Sequence, residues 1–370
     1  MMKTIFKIVV LSISIVMFSC EKDTVEADPQ DNKPNVSEDC FDVIDLSTDC
    51  NNPQTISFIN ANEGWLVGEG LDNASTRTLS YTNDGGLTWT LKNTDLGVHH
   101  AGSVSASFIK FYNSTDGYMI SEYEAGPGGS RLKYTTDQGQ TWTVISGSDI
   151  GTWDVVAVNN TNAVFIGHHI YGHNDGVLYQ VSNSLHEIVQ TIDLPSTLDL
   201  FTKVDMHLAE DGTINVPVSR VNVGSGLYIA HSSNYGTSWT YSEIDLDATY
   251  KMDFPTDNTG YVIGGIGNDG ALCKTTDGGT TWTTKSTPNT FLHTNFFDAQ
   301  NGLAIQQGQI YKTTDGAETW TEVSCFSDSQ EHNPSRGVAY VSLEEWYAIG
   351  TRYVSSENKS YSEFYIYEEK

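Results

Sequence analysis

The sequence predicts an all-β fold: a single seven-bladed β-propeller of four-stranded antiparallel blades, filling residues 40–370. Three observations predict it. An octapeptide of the pattern Ser/Thr-x-Asp/Asn-x-Gly/Ala-x-Ser/Thr-Trp occurs five times, a strand–turn–strand unit recurs upstream of it, and a last block has strand-like segments but no octapeptide. Four strands repeated with a period of roughly 40–45 residues are the signature of propeller blades, each of which buries its faces against its neighbours.

The octapeptides are residues 82–89, 135–142, 232–239, 275–282 and 313–320. Their third positions are Asp84, Asp137, Asn234, Asp277 and Asp315, and they end in Trp89, Trp142, Trp239, Trp282 and Trp320. This is the Asp-box pattern, and its chemistry is that of a hairpin. Asp or Asn accepts hydrogen bonds from backbone N–H groups a few residues on, and the following glycine takes positive φ without steric cost. The tryptophan opens the next strand, where its ring packs between sheets and its indole N–H needs a partner. Each acidic side chain is thereby occupied by its own turn, so none is read as a calcium ligand or a catalytic acid.

The third positions are 53, 97, 43 and 38 residues apart, so the longest interval conceals a missing copy. Residues 181–186 lie in that gap after the strand-like residues 176–180, and they read as a decayed box lacking its Gly and Trp. The upstream unit runs over residues 58–68, with relatives at 111–120, 156–167, 254–264 and 296–305. Each reads as a strand, a polar turn and another strand. Six blades are thus expected from about residue 56 to 323, and a seventh from residues 337–341, 346–350 and 362–367. That last set needs an outer strand, which residues 42–46 can supply. Closing the ring in this way removes the exposed sheet edges that invite aggregation.

The first 19 residues read as an export signal: Lys3 and Lys7 precede an apolar run over 8–18 broken only by Ser12 and Ser14. The run is short for a membrane span, which needs about 20 apolar residues. Its end, Met17-Phe18-Ser19-Cys20, resembles a bacterial lipobox, which implies lipidation of Cys20 and anchoring by acyl chains alone. Residues 20–39 are polar, contain Pro29 and Pro34, and read as a disordered tether. The Cys20-Glu21-Lys22-Asp23 start resembles the acidic signals of Bacteroidetes surface lipoproteins, which implies the outer membrane, at the cell surface or its periplasmic face. Four further cysteines allow three pairings in an oxidising compartment. Cys40 with Cys50 is the first choice, since both lie in one short segment; Cys273 and Cys325 would pair across neighbouring repeats or remain buried thiols.

With 47 Asp and Glu against 19 Lys and Arg, the net charge is -28, and no basic patch offsets it. Nucleic acid is excluded as a partner on that ground. No CxxC or His/Cys spacing suggests zinc, and the His168, His169, His173 group surrounds Gly172 in what reads as a loop. No metal and no cofactor are expected, and the chain is expected to be a monomer.

The pattern Gly-[Trp/Tyr]-x-[Val/Ile]-Gly followed by a Lys-Thr-Thr-Asp-Gly-Gly-x-Thr-Trp box, best seen at residues 274–282, resembles the photosystem II stability/assembly-factor propellers and their relatives in non-photosynthetic bacteria. The resemblance covers most of residues 55–323 and implies a scaffold that binds a partner. The same boxes occur in sialidases, xyloglucanases and sortilin-type receptors, and a fold carries no activity by itself. A sialidase needs an arginine triad, usually with an Arg-Ile-Pro segment, and a tyrosine–glutamate pair; the chain has no Arg-Ile-Pro and only five arginines. A xyloglucanase sets two carboxylates across a cleft between two propellers. No catalytic residue is therefore assigned. A glycoside hydrolase with an unrecognised carboxylate pair is the alternative reading.

If the boxes mark one rim, the second-to-third-strand connections and those between blades lie on the other. Arg77, Arg131, Arg220 and Arg352 flank such connections, and Arg336 opens the last blade. With Trp153 and Tyr171 they are expected to recognise a partner carrying carboxylate or sulfate, with which arginine pairs bidentately; the other reading is that they pair with the abundant acids. The expected function is an exported, lipid-anchored scaffold for an envelope protein partner or an extracellular glycan.

Overall fold

A computed structural model describes residues 41–368, apart from 47–48, 73–75, 97–108, 123–129, 151–154, 169–175, 195–197, 200–204, 221–225, 268, 307–308, 324–331, 355 and 358. Its strands form seven antiparallel sheets. The chain opens with β1 (Asp42–Asp45), then blade 1: β2 (Asn51–Phe58), β3 (Gly64–Glu69), β4 (Arg77–Thr82) and β5 (Thr90–Asn93). Blade 2 is β6 (Ile109–Phe111), β7 (Gly117–Glu122), β8 (Ser130–Thr135) and β9 (Thr143–Ile150). Blade 3 is β10 (Val155–Val158), β11 (Asn162–His168), β12 (Gly176–Ser182) and β13 (Glu187–Asp193). Blade 4 starts with two pieces, β14 (Leu198–Asp199) and β15 (His207–Leu208), both paired to β16 (Ile214–Arg220), and adds β17 (Leu227–Ser232) and β18 (Thr240–Ile244). Blade 5 is β19 (Ala248–Asp253), β20 (Gly260–Ile266), β21 (Asp269–Thr275) and β22 (Thr283–Ser286). Blade 6 is β23 (His293–Phe296), β24 (Gly302–Gln306), β25 (Gln309–Thr313) and β26 (Thr321–Glu322). Blade 7 is β27 (His332–Tyr340), β28 (Glu345–Val354) and β29 (Lys359–Glu368), with β1 as its outermost strand.

The expected closure is present. Asp42 pairs with Ile366 and Asp45 with Glu363, so the N-terminal strand seals the last blade. Second strands are buried on both faces because neighbouring blades cover both; outer strands such as β13 and β22 face water on one side. The core accordingly lies between blades. Val164 and Leu178 of blade 3 pack with Val216 and Ala230 of blade 4, and Ile56 and Leu66 of blade 1 pack with Leu46, Ile349 and Phe364 of blade 7.

The recurrent Phe and Gly of the upstream unit have a shared cause. Phe58 pairs with Gly64, Phe111 with Gly117 and Phe296 with Gly302. Each ring lies over its glycine so closely that a Cβ there would come within 2.4–2.7 Å of it. Blade 4 has Leu208 opposite Ile214, and blade 7 has Tyr340 opposite Trp346.

The decayed box is a tight hairpin over residues 183–186, between β12 and β13. His186 takes the positive φ (53°) that glycine supplies elsewhere, and its N–H donates to the Ser182 carbonyl at 2.8 Å. Its ring stacks on Tyr134 of blade 2 with centroids 4.1 Å apart.

Cys50 is a free, buried thiol pushed up to about 12 by burial, with Asp49 and Glu69 adding to the effect. Its expected partner Cys40 lies outside the described residues. Cys273 is also free and buried, raised by burial and in contact with the Thr284 hydroxyl at 3.3 Å; Cys325 lies outside the described residues.

Candidate functional site

Strand alternation puts the boxes and the first-to-second-strand turns on one rim. The two are tied together blade by blade: Gly85 N–H donates to the Asn62 carbonyl (3.0 Å), Gln138 to Thr115 (2.9 Å), Tyr235 to Gly212 (3.1 Å), Gly278 to Asn258 (2.9 Å) and Gly316 to Gln300 (2.9 Å). Within a box the polar atoms are used locally. Asp277 accepts from the Thr275 hydroxyl (2.8 Å), the Thr281 amide (2.9 Å) and the Thr281 hydroxyl (2.7 Å), and Asp84, Asp137 and Asp315 repeat the set. Asn234 does the same with Oδ1 and donates Nδ2–H to Ser238 at 2.9 Å. These carboxylates are hairpin pins.

Burial alone would raise the Asp277 carboxyl, but the Thr281 hydroxyl and amide and the Thr275 hydroxyl together hold it below the usual range; Asp84 and Asp137 show the same balance. At Asp315 the Thr319 hydroxyl dominates and the pKa falls to about 2. A carboxylate whose folded pKa is depressed contributes stability that is fully present above its unfolded value, about 4, and lost as pH falls through the folded value. Urea midpoints are therefore expected to drop between about pH 4 and pH 2. Asp315→Asn, which copies the working Asn234 box, should flatten that slope; an unchanged slope would contradict the assignment.

The box tryptophans divide into two groups. Trp142 and Trp282 donate their indole N–H to the Gly139 and Gly279 carbonyls at 3.0 Å, while the buried Nε1 atoms of Trp89, Trp239 and Trp320 have no partner among the described residues. Trp142→Phe should cost about 0.5–1.5 kcal/mol more than Trp89→Phe, the net worth of one hydrogen bond. Equal losses by urea unfolding would refute the distinction.

On the opposite rim, Arg77, Arg131, Arg220 and Arg352 do flank second-to-third-strand connections, each in a different blade. Arg77 is 2% exposed, with its guanidinium 4.0 Å from the Glu69 carboxylate and a further bond to the Thr76 carbonyl at 3.1 Å. The expectation that it faces a ligand is corrected: its position opposite Glu69 in the β3–β4 ladder turns it inward. Arg352 lies 2.8 Å from Glu363 and 5.3 Å from the Tyr361 ring, so an acid and an aromatic face already hold it. Arg131 is half-buried. The Arg220 side chain, Trp153 and Tyr171 lie outside the described residues.

A charged group that sequence reasoning did not single out lies around the axis. The turn bonds Ile59–Glu63, Tyr112–Asp116, Ala209–Thr213 and Phe297–Asn301 align the blades. One residue before each closing strand position stand Lys110, His207, Asp253 and Asn295, and two residues earlier stand Asp205, Lys251 and His293. Lys251 of blade 5 contacts the Asp205 carboxylate of blade 4, and the Lys110 ammonium of blade 2 lies 3.8 Å from the other oxygen. Asp253 accepts from the Phe296 N–H (2.5 Å) and, more weakly, Asn295 Nδ2 (3.4 Å); the Asn295 side-chain carbonyl in turn accepts from the Tyr340 N–H (2.6 Å). Five blades are thus joined by one polar belt. Burial, then Lys110, pulls Lys251 below the ordinary lysine range against the pull of Asp253. Burial, then Lys251 and Arg336, lowers His293 to about 4. Burial raises Asp253 despite the Phe296 N–H and both lysines. The sequence signal was a polar residue alternating with an apolar one just before the aromatic, as in Lys251-Met252-Asp253-Phe254.

Among the described residues no group of three or more His, Cys, Asp or Glu side chains is arranged to hold a metal ion. Residues 33–212 match the family described as photosynthesis system II assembly factor YCF48. No curated protein matches the chain. Among solved structures, YCF48 bound to D1 peptide is similar over 89% of this chain and 96% of its own, at 19% identity and a TM-score of 0.57. YCF48 from Cyanidioschyzon merolae is similar over 89% of this chain and 98% of its own, at 15% identity and 0.55. The GH74 xyloglucanase from Xanthomonas campestris is similar over 86% of this chain and 55% of its own, at 11% identity and 0.53. At such identities the structural likeness is one of fold.

Proposed function

We propose that this Asp-box propeller, which resembles the YCF48-type photosystem II assembly factors, is an exported binding and assembly scaffold, lipid-anchored through Cys20 at the outer membrane. Acting as a monomer and without a cofactor, it holds an envelope protein partner or an extracellular glycan on the rim opposite the boxes. The observation that carries this reading is the division of labour between the rims. The box rim spends its polar atoms on its own hairpins and on the neighbouring turns. The opposite rim carries blade-to-blade connections, such as those from β18 to β19 and from β22 to β23, and functional residues concentrate on such connections above a rigid scaffold. The family match supports a binding role, and the fold likeness to a xyloglucanase carries no activity with it.

The test combines cross-linking of cells that make the full chain, a glycan array, and a reducing-sugar assay on every glycan bound. Capture of an envelope protein, or of a glycan without turnover, supports the scaffold. Release of reducing ends would replace it with the hydrolase reading. A Cys20→Ala chain should leave the membrane fraction.

A further inference from the structure

We propose that the axis of the propeller holds a site for a small oxyanion, a carboxylate or a phosphate, bound between Lys110 and Lys251. The scaffold reading is not needed for this site, which stands on the belt itself. Lys110 and Lys251 come from blades 2 and 5 and converge on one carboxylate, Asp205 of blade 4. The other acid of the group, Asp253, is turned to the Phe296 N–H and Asn295 of blade 6. Both lysines also attract Asp253, so two carboxylates balance their charge, but two ammonium groups with three donors each still carry more N–H groups than the Asp205 carboxylate accepts.

The groups facing Lys251 are Lys110 from β6, Asp205 before β15, Asp253 on its own strand, and His293 on β23; Arg336 on β27 adds its charge at His293. Lys251 and His293 are both displaced toward their neutral forms with a neighbouring cation among the causes. Access is also present: the Lys110 and Lys251 side chains keep 32% and 19% exposure, while Asp205 keeps 9%. A charged oxygen placed between the ammonium groups would accept the donors that Asp205 does not use, and charge-assisted bonds of this kind are the strong ones.

The experiment is calorimetric titration of the purified full chain with sodium phosphate and, separately, sodium acetate, against sodium chloride at matched ionic strength and pH 6.5. One saturable site for phosphate or for acetate, absent with chloride, is expected, and which of the two binds identifies the group. Lys110→Met and Lys251→Met should each weaken it about 10- to 100-fold, the loss expected for a bond to a charged group. Lys110→Arg should keep it within about 10-fold, because one charge and its donors remain. The wild-type arm depends on no variant: binding no tighter than chloride overturns the proposal. So does a folded Met variant that binds as the parent does.

Discussion

Replacing Leu46 by alanine is expected to lower the unfolding free energy by about 2–5 kcal/mol, the range for emptying a fully buried leucine site. Leu46 is wholly buried between the first and last blades, among Cys50, Ile56, Leu66, Tyr347, Ile349, Phe364 and Ile366. Its N–H also donates to the Ser362 carbonyl at 2.8 Å, which extends the β1–β29 ladder by one bond. Val43, on the neighbouring strand but 40% exposed, is the control; Val43→Ala should stay within about 0.5 kcal/mol. Deleting residues 1–46 should do more. It bares the backbone edge of β29 beside Phe364, and an uncovered edge pairs with other chains. Concentration-dependent aggregation by light scattering is the expected result, and a monomeric, fully stable truncation would refute the role given to β1.

Gly86→Ala is expected to cost about 2–5 kcal/mol, from two causes that add. Gly86 has φ of 88°, where a Cβ costs roughly 1–2 kcal/mol. The new methyl would also lie 2.3 Å from the Phe364 ring, and overpacking typically costs about 1–3 kcal/mol. Gly278 separates the two: its φ is 71° and the nearest atom to a Cβ is the Asp257 carbonyl oxygen at 3.3 Å, so Gly278→Ala should show the conformational cost alone. Ala317 holds the same box position in blade 6 as Gly86 does in blade 1, with φ of 69°, so the slot there already accepts a methyl. Equal losses for Gly86→Ala and Gly278→Ala would remove the Phe364 contact from the explanation.

The boxes were legible because their chemistry is local: one Asp, two hydroxyls and a positive-φ residue close a hairpin within eight positions. The Phe and Gly of the first two strands were legible for a related reason, since ring and glycine face each other across a single ladder. Blade 4 was harder to see because Leu208 and Ile214 fill that place and its first strand is split. The decayed box showed as a gap, but nothing local to it indicates that His186 would stack on Tyr134 of the blade before. Arg77 and the axial lysines mark the limit of such reading. Arg77 follows a polar loop in sequence yet is buried against Glu69, and Lys110, Asp205 and Lys251 meet only because the ring brings blades 2, 4 and 5 around one axis.

The seam that β1 makes with β29 also has a mechanical meaning. A pull along the chain from upstream of Asp42 enters at the outermost strand of blade 7 and loads that seam first. Four residue pairs and Leu46 resist it, while the β28–β29 ladder behind them has ten pairs. In single-molecule pulling from that end, the shorter β1–β29 ladder is expected to part before the β28–β29 ladder behind it, which leaves blade 7 with three strands.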